Sequence, residues 1–229
     1  CHYIMGGIPT DVNGHVLNDT ISTILPSLYA VGECACVSVH GANRLGCNSL
    51  IDLVVFGRRT GLSVLEDLKG KSFQPLPLQA ENIVVDKVTG LFESKGTERL
   101  AHLREAMQHL MTKQCSVFRN GEKLEQTLGL LKQLKKRSLN IGLSNKSIIF
   151  NYELQEAFEL CNMLRVAEVI VYSALQRKES RGAHFRSDYP QRDDDEWLKH
   201  TYVHEVPGGL KASYKPIAIT RFAPEKRRY

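Results

Sequence analysis

The chain has 229 residues, of which 42% are hydrophobic and 24% are charged. This size and composition suit one or two domains with a hydrophobic core, and they exclude a disordered or fibrous chain. The net charge of +5 does not indicate a nucleic-acid-binding protein, because the basic residues are dispersed or lie near predicted helix ends, as do Lys132, Lys135, Lys136 and Arg137.

Two features bear on targeting. No apolar run reaches the roughly 18 to 20 residues that span a bilayer, and the first residues lack the charged and apolar regions of a secretory signal. We therefore expect any membrane association to depend on a partner and not on direct insertion. The chain begins with Cys1 and not with Met, and residues 2–7 already read as a motif without a polar lead-in. This predicts that the chain is cut from a longer one.

The six cysteines lie mostly inside apolar stretches. Their spacing is neither that of a disulfide framework nor that of paired CxxC zinc hooks, so we expect reduced thiols in a cytosol-like compartment. Cys34 and Cys36 form a single CxC pair without the second pair that a structural metal site needs. Ordinary packing is favoured over metal or redox chemistry, and no metal site is predicted.

Two elements are predicted in the first 69 residues. Residues 24–32 are apolar almost throughout, which predicts a turn at Pro26 and a short buried parallel strand with Glu33 at its carboxyl end. Residues 48–69 predict a helix that is capped by Asn48, buried in its apolar first half and exposed later. Gly57 and Gly61 lie four residues apart on this helix and indicate that another backbone approaches it closely.

The middle of the chain predicts a linker followed by helices. Residues 70–96 are rich in Gly, Pro and polar residues around a β-prone run at residues 83–85, which marks a domain boundary. Three amphipathic helices are predicted after it, each with one apolar stripe at a spacing of three and four residues: residues 97–118, 120–137 and 151–177. One stripe per helix favours an antiparallel three-helix bundle over residues 97–177.

Residues 178–229 predict an irregular polar loop and a hairpin. The β-prone runs at residues 201–206 and 210–214 are separated by a Pro-Gly-Gly turn. The loop contains Arg181, His184 and Arg186, which could form an anion site. Loops that pin a helical bundle to another domain are also rich in such residues, and we favour this structural role.

Residues 33–58 read as a strand, a loop and a helix, and ligands in such units bind at the carboxyl ends of strands. Glu33 could accept the two hydroxyls of a nucleotide ribose, or it could cap a surface loop. The helix that begins near Asn48 and Ser49 offers free N–H groups and a positive dipole end to the anionic edge of a reduced flavin. A plain N-cap is the alternative there.

Two further residues are candidates for binding carboxylates. Arg44 is framed by the small residues Gly41, Ala42 and Gly46, so a ligand can approach its guanidinium. A bidentate clamp on a carboxylate would contribute about 1.5 to 3 kcal/mol per charge-assisted bond, and a surface salt bridge is the alternative. His2 precedes a glycine pair and could donate to a substrate carboxylate, with a structural role as the alternative.

Four stretches, HYIMGGIPTD, LYAVGE, HGANRLGCNSL and DLVVFGR, occur in this order and strongly resemble the succinate dehydrogenase and fumarate reductase flavoprotein family. The resemblance continues through SRGAHFRSDYPQRDDDEWLKH to the closing RRY, so it covers essentially the whole chain. HYIMGGIPT and RDDDEWLKH look like the succinate dehydrogenase branch. Cys47 and Ser27 depart from the family, which usually has a small non-thiol residue and a glycine there.

The resemblance implies a mixed α+β chain in which a remnant of a Rossmann-like flavin-binding domain (residues 1–69) and the linker (70–96) precede the three-helix bundle (97–177) and a small carboxy-terminal β-hairpin region (178–229). It implies FAD as the cofactor, with Glu33 at the ribose and Ser49 and Leu50 at the isoalloxazine edge. His2 and Arg44 would hold the dicarboxylate substrate.

The family reaction implied is the oxidation of succinate to fumarate, with hydride transfer to FAD and electron flow to an iron-sulfur subunit and quinone. Membrane anchor subunits would hold the protein peripherally at the cytoplasmic face of a bacterial inner membrane or at the matrix side in mitochondria. The glycine-rich nucleotide loop, the flavin-attaching histidine and the proton-accepting arginine are expected upstream, so the chain alone is expected to be inactive. Fumarate reductase, aspartate oxidase and a non-catalytic docking module are the alternatives.

Overall fold

The computed structural model describes residues 2–18 and 22–225, and Cys1 lies outside this part of the chain. Helices and short strands alternate with long loops, so the chain is mixed α/β. The strands are β1 Ile8–Pro9, β2 His15–Leu17, β3 Ile24–Tyr29, β4 Ala35–Cys36, β5 Lys199–Val206 and β6 Gly209–Pro216. The helices are α1 Asn48–Asp67, α2 Asn82–Glu93, α3 Leu100–Gln114, α4 Gly121–Ser138, α5 Tyr152–Gln176 and α6 Asp194–Trp197.

The strand predicted in residues 24–32 is present as β3, but its predicted environment is wrong. β3 pairs antiparallel with β2, whereas the parallel pairing in this region joins β1 to β4. Ile24 and Leu28 are exposed, because no other described element covers that side of β3. Pro26 lies inside the strand and not in an entry turn, which an edge strand tolerates because it leaves N–H groups unpaired.

Helix α1 occupies the predicted segment, but its cap and its buried face differ from the prediction. Cys47, in the left-handed region at φ 64°, is the N-cap in place of Asn48, and no side chain caps the helix. The buried residues are the polar Asp52 and Thr60, whereas Val54 is 72% exposed. Other described elements pack mainly around Asp52 and Thr60, with Gly32 against Leu53, and most of the apolar side of α1 faces outward.

The two glycines of α1 do not mediate close packing among the described residues. A Cβ placed on Gly57 or Gly61 would meet no described atom within 4 Å beyond its own helix. The close approach to α1 is made by Gly14 instead. The side chain of Thr60 on α1 contacts Gly14 and leaves no room for a Cβ on that glycine. The predicted glycine face is therefore wrong for this part of the chain.

The β-prone run at residues 83–85 is helical and lies in α2. Valine and isoleucine favour strands only where a neighbouring strand and a partly buried face are available, and neither is present here. Lys146 Nζ donates to the carbonyls of Leu91, at 3.3 Å, and of Phe92, at 2.6 Å, at the end of α2. A cation at this position stabilises a helix because its carboxyl end carries partial negative charge.

The three amphipathic helices are present as α3, α4 and α5, and they share one hydrophobic core. Asn120 and Asn151 cap α4 and α5 by accepting from the amides of Lys123 and Leu154, each at 2.9 Å. The apolar stripes supply the fully buried side chains of the core, which include Leu103, Leu124, Leu131, Leu160, Leu164 and Val171. Helix α3 ends four residues earlier than predicted.

The predicted hairpin is confirmed, since β5 and β6 pair antiparallel from Lys199 and Pro216 down to the turn. Trp197 packs edge-on against Tyr214 with ring centroids 5.7 Å apart. Arg177, at the end of α5, lies over the Trp197 ring at 5.1 Å. These contacts attach the hairpin to the helical core.

His15 joins three elements of the first region. Its Nδ1 lies 2.9 Å from Asp11 Oδ2 and its Nε2 lies 2.9 Å from Asp67 Oδ2 on α1. Tyr29 on β3 donates to the same Asp67 oxygen. The hydrogen bonds to Asp11 and Asp67 raise the pKa of His15. The folded chain therefore holds the proton on this imidazole more tightly than the unfolded chain does.

Replacement of His15 by glutamine is expected to destabilise the chain by about 1 kcal/mol near pH 5.5 and by less near pH 9. The sign follows from the raised pKa: the stabilisation is complete below the unfolded pKa of about 6.5 and is lost as the pH rises through the folded value. Urea unfolding at both pH values measures the difference. His109→Gln, at an exposed site on α3, is the control, and an equal loss at both pH values would contradict the ion pairing.

Candidate functional site

Arg44 lies in the loop between β4 and α1. Its guanidinium lies over the ring of Tyr3, with Cζ 4.8 Å from the centroid, and Nη1 donates to the carbonyl of Leu45 at 3.1 Å. The Nε atom is buried and has no hydrogen-bond partner among the described residues. Because buried donors in native proteins are almost always paired, this N–H has room in its hydrogen bonding for a further acceptor.

His40 and Asp52 lie near Tyr3, which also contacts Arg44, and sequence reasoning missed both. Asp52 is 6% exposed, and its Oδ2 lies 3.2 Å from His40 Nε2. The other nitrogen of His40, Nδ1, is buried and lacks a partner among the described residues. The ring of Tyr3 meets that of His40 edge-on at 5.4 Å. A lone carboxylate inside an apolar run was the available signal, because a buried acid needs a partner.

Tyr3 lies at the centre of the predicted site residues. Burial raises the pKa of Tyr3, and the negative charges of Asp52 and Glu33 raise it further, while the positive charge of Arg44 acts in the opposite direction. The three charged groups are therefore near one ring. His2, which directly precedes Tyr3, is exposed. The fold thus brings residues 2–4, Glu33 and the Arg44 loop together.

Glu33 lies in the loop between β3 and β4, because β3 ends at Tyr29 and not at residue 32 as predicted. Its Oε1 accepts a hydrogen bond from the amide of Ile4 at 3.0 Å, and the residue is exposed. A carboxylate has about four lone-pair sites, so Glu33 retains the capacity to accept hydroxyl groups. The preceding Gly32 packs against Leu53, which brings this loop close to α1.

The amino-terminal end of α1 lacks a side-chain cap. Ser49 is half-buried and Leu50 is 65% exposed, and the Leu50 amide donates to the carbonyl of Cys47 at 3.1 Å. The start of a helix carries partial positive charge, which suits the carbonyl edge of a flavin. This end of α1 therefore fits a bound flavin.

Arg181, His184 and Arg186 do not form an open anion site. Arg181 Nη2 lies 2.7 Å from Asp194 Oδ1, and Arg186 Nη2 lies 2.7 Å from Asp188 Oδ2. Burial, followed by nearby arginine charges, lowers the pKa of His184 to about 4, so its imidazole is neutral. All three side chains are engaged with protein groups, which agrees with the favoured structural role.

The part of the chain that the structure describes shows neither a candidate metal site nor a membrane-spanning helix. Residues 2–18 and 22–225 contain no group of three or more His, Cys, Asp or Glu arranged to hold a metal ion. Over the same residues, no helix combines the length and apolar character needed to cross a membrane. Cys34, Cys36, Cys47, Cys115 and Cys161 are free thiols.

Two family models match the chain. Residues 104–229 match the family described as fumarate reductase flavoprotein C-term, and residues 1–50 match the FAD binding domain family. The second match covers Tyr3, Glu33, Arg44 and the start of α1. It confirms the assignment of FAD as the cofactor of this region.

Individual relatives agree with these matches. The chain is 42% identical to the succinate dehydrogenase flavoprotein subunit of Rickettsia conorii over 98% of its own length, and 40% identical to a fumarate reductase flavoprotein subunit of Mycobacterium tuberculosis over 100%. It matches a solved E. coli quinol fumarate reductase variant with a TM-score of 0.88 and 37% identity over 99% of this chain. It spans only 38%, 39% and 38% of those three chains, respectively.

Proposed function

This chain belongs to the succinate dehydrogenase and fumarate reductase flavoprotein family, and we propose that the complete protein oxidises succinate to fumarate. The observation that carries the proposal is the Arg44 guanidinium, which lies over Tyr3 in a loop within the FAD-binding region and whose Nε has no partner among the described residues. A guanidinium with a free donor beside a flavin site is suited to a carboxylate substrate. FAD supplies the hydride acceptor when it is bound.

Arg44 and His2 are the proposed substrate-binding residues. The Arg44 guanidinium donates to one carboxylate of succinate, and Tyr3 supports it from behind through the face of its ring. His2, on the adjacent exposed segment, donates to the other carboxylate. Two fixed carboxylates hold the reacting C–H bond in one orientation, which lowers the entropic part of the barrier.

Glu33, Ser49 and Leu50 are the proposed flavin-binding residues. The Glu33 carboxylate accepts the ribose hydroxyls of the nucleotide, and its bond to the Ile4 amide holds it in place. Ser49 and Leu50 contact the isoalloxazine edge at the uncapped start of α1, where the helix dipole favours negative charge. The same dipole therefore stabilises a reduced, anionic flavin.

The proposed organisation follows the sequence boundaries. Residues 1–69 are the carboxy-terminal part of a Rossmann-like flavin-binding domain, and residues 70–96 are a linker that contains α2. Residues 97–177 form a helical domain, an antiparallel bundle of α3, α4 and α5, and residues 178–229 form the carboxy-terminal loop and hairpin region. The shared core of the three helices supports the helical domain.

The rest of the proposed activity involves groups beyond this chain, which spans 38% of the length of its Rickettsia relative. The proton-accepting arginine, the phosphate-binding loop and the histidine that attaches FAD are proposed to belong to the remainder of the subunit, so residues 1–229 alone are expected to be inactive. Electrons pass to an iron-sulfur subunit and then to quinone. Membrane anchor subunits hold the assembly at the cytoplasmic face of the bacterial membrane or at the mitochondrial matrix side.

Fumarate reduction is the second candidate, because a relative with 40% identity carries that name. The HYIMGGIPT and RDDDEWLKH stretches favour succinate oxidation. Both reactions use the same carboxylate-binding residues, so the arrangement around Arg44 suits either direction.

The complete protein is expected to reduce an artificial dye with succinate. Malonate is expected to inhibit competitively, because it presents two carboxylates but lacks the CH2–CH2 unit that is dehydrogenated. The measurement is dye bleaching at several succinate and malonate concentrations, with flavin content determined in parallel. Aspartate serves as the control substrate. Flavin-loaded protein that reduces no dye with succinate would overturn the proposal in favour of fumarate reduction or aspartate oxidation.

A further inference from the structure

A turn in the carboxy-terminal region contacts the loop that carries Arg44. The amide of Ala183 donates to the carbonyl of Ala42 at 3.0 Å. A second tie joins the same two regions, because Ser38 Oγ lies 2.9 Å from His200 Nε2 on β5. Segments separated by about 140 to 160 residues therefore meet at the loop of residues 38–46.

The turn is closed by backbone hydrogen bonds, and its tip packs directly against the loop of residues 38–46. Arg181 and His184 exchange backbone hydrogen bonds of 2.7 and 3.0 Å, which leaves Gly182 and Ala183 at the tip. Gly182 has φ +58°, and a Cβ there would lie 2.5 Å from the carbonyl oxygen of Ala42 and 2.6 Å from its carbon. Both the backbone conformation and the contact therefore require glycine.

The turn is also held from behind. Arg181 donates to both carboxylate oxygens of Glu179, at 2.8 and 3.0 Å, and Glu179 is completely buried. His184 Nε2 lies 3.1 Å from the carbonyl of Arg177 at the end of α5, and His184 Nδ1 lies 3.1 Å from Arg119 Nη1. Arg181 and His184 thus fix the base of the turn to the helical core, while its tip contacts Ala42.

We propose that Gly182 and Ala183 are positioning residues that hold the Ala42 backbone, and through it Arg44, in the geometry that binds a dicarboxylate. Ala42 lies two residues before Arg44. Gly41 and Gly46 on either side of these two residues allow the loop several conformations. Without the turn, the Ala42 carbonyl would lose its hydrogen bond from Ala183, which ties this loop to the carboxy-terminal region. The inference rests on the proposed function, because it assigns a role to Arg44 in binding carboxylates.

The test uses the complete, flavin-loaded protein with Gly182→Ala. Gly70→Ala is the matched control, since Gly70 also has a positive φ of +71° but a Cβ there would meet no described atom within 4 Å. The readouts are malonate binding, followed by the change in flavin absorbance, and separate KM and kcat values for succinate. We expect Gly182→Ala to weaken malonate binding and raise KM at least about tenfold at unchanged flavin content, and Gly70→Ala to change neither.

Parental malonate affinity and KM in flavin-loaded Gly182→Ala would overturn the positioning role and leave the proposed function intact. A parent protein that neither binds malonate nor oxidises succinate would overturn both. If Gly182→Ala does not load flavin, Ser38→Ala tests the second tie more gently. We expect it to raise KM about two- to fivefold at normal flavin content, and a parental KM in that variant would overturn the inference.

Discussion

Replacement of Arg44 by alanine in the complete protein is expected to lower kcat/KM for succinate at least about 100-fold. The guanidinium is held over Tyr3 and has one buried donor without a partner among residues 2–18 and 22–225. Its loss removes the clamp on one carboxylate, so the substrate is both bound more weakly and oriented less well. Steady-state kinetics with succinate, together with flavin content, measures the effect.

Two variants sharpen this test. Arg44→Lys keeps the positive charge but loses the planar pair of donors, so most of the loss is expected to remain. Arg165→Ala removes an exposed arginine of α5 and is expected to leave the kinetics unchanged. Near-normal succinate oxidation by flavin-loaded Arg44→Ala would refute the role of Arg44.

Replacement of Glu179 by glutamine is expected to destabilise the chain by about 3 to 5 kcal/mol. The carboxylate is completely buried and accepts from Arg177, Arg181 and the amide of Asp193. Glutamine has nearly the same shape but places an N–H donor against these donors and leaves two partly buried guanidinium groups without their shared counter-charge. Urea unfolding followed by the fluorescence of Trp197, the single tryptophan of the chain, measures the loss.

The control for this prediction is an ion pair of the same type at the surface. Glu66 and Lys69 lie 2.5 Å apart with side chains 70% and 72% exposed, so water screens them. Glu66→Gln is expected to change the free energy of unfolding by less than about 1 kcal/mol. A comparable small change for Glu179→Gln would show that the buried network does not hold the carboxy-terminal region to α5.

The residues brought together at the candidate site show where sequence reasoning was sufficient and where it was not. Glu33 and Arg44 were recognised from motifs, and the fold places both near Tyr3. His40 and Asp52 were missed, because a histidine and a single acid twelve residues apart have no characteristic spacing. Their pairing depends on the loop folding back onto α1, which is a tertiary event.

The sequence by itself determined the helices of residues 97–177 and the carboxy-terminal hairpin, because an apolar stripe of period 3.6 and a Pro-Gly-Gly turn are local signals. It also determined the flavoprotein family and FAD, because the motifs of residues 2–58 are specific. Only the tertiary structure decided which side of α1 is buried, that residues 83–85 are helical, and that Gly182 contacts Ala42 in the Arg44 loop. The physical reason is that burial, β-pairing and backbone contact depend on what lies opposite a residue, and that partner can be 140 residues away in the chain.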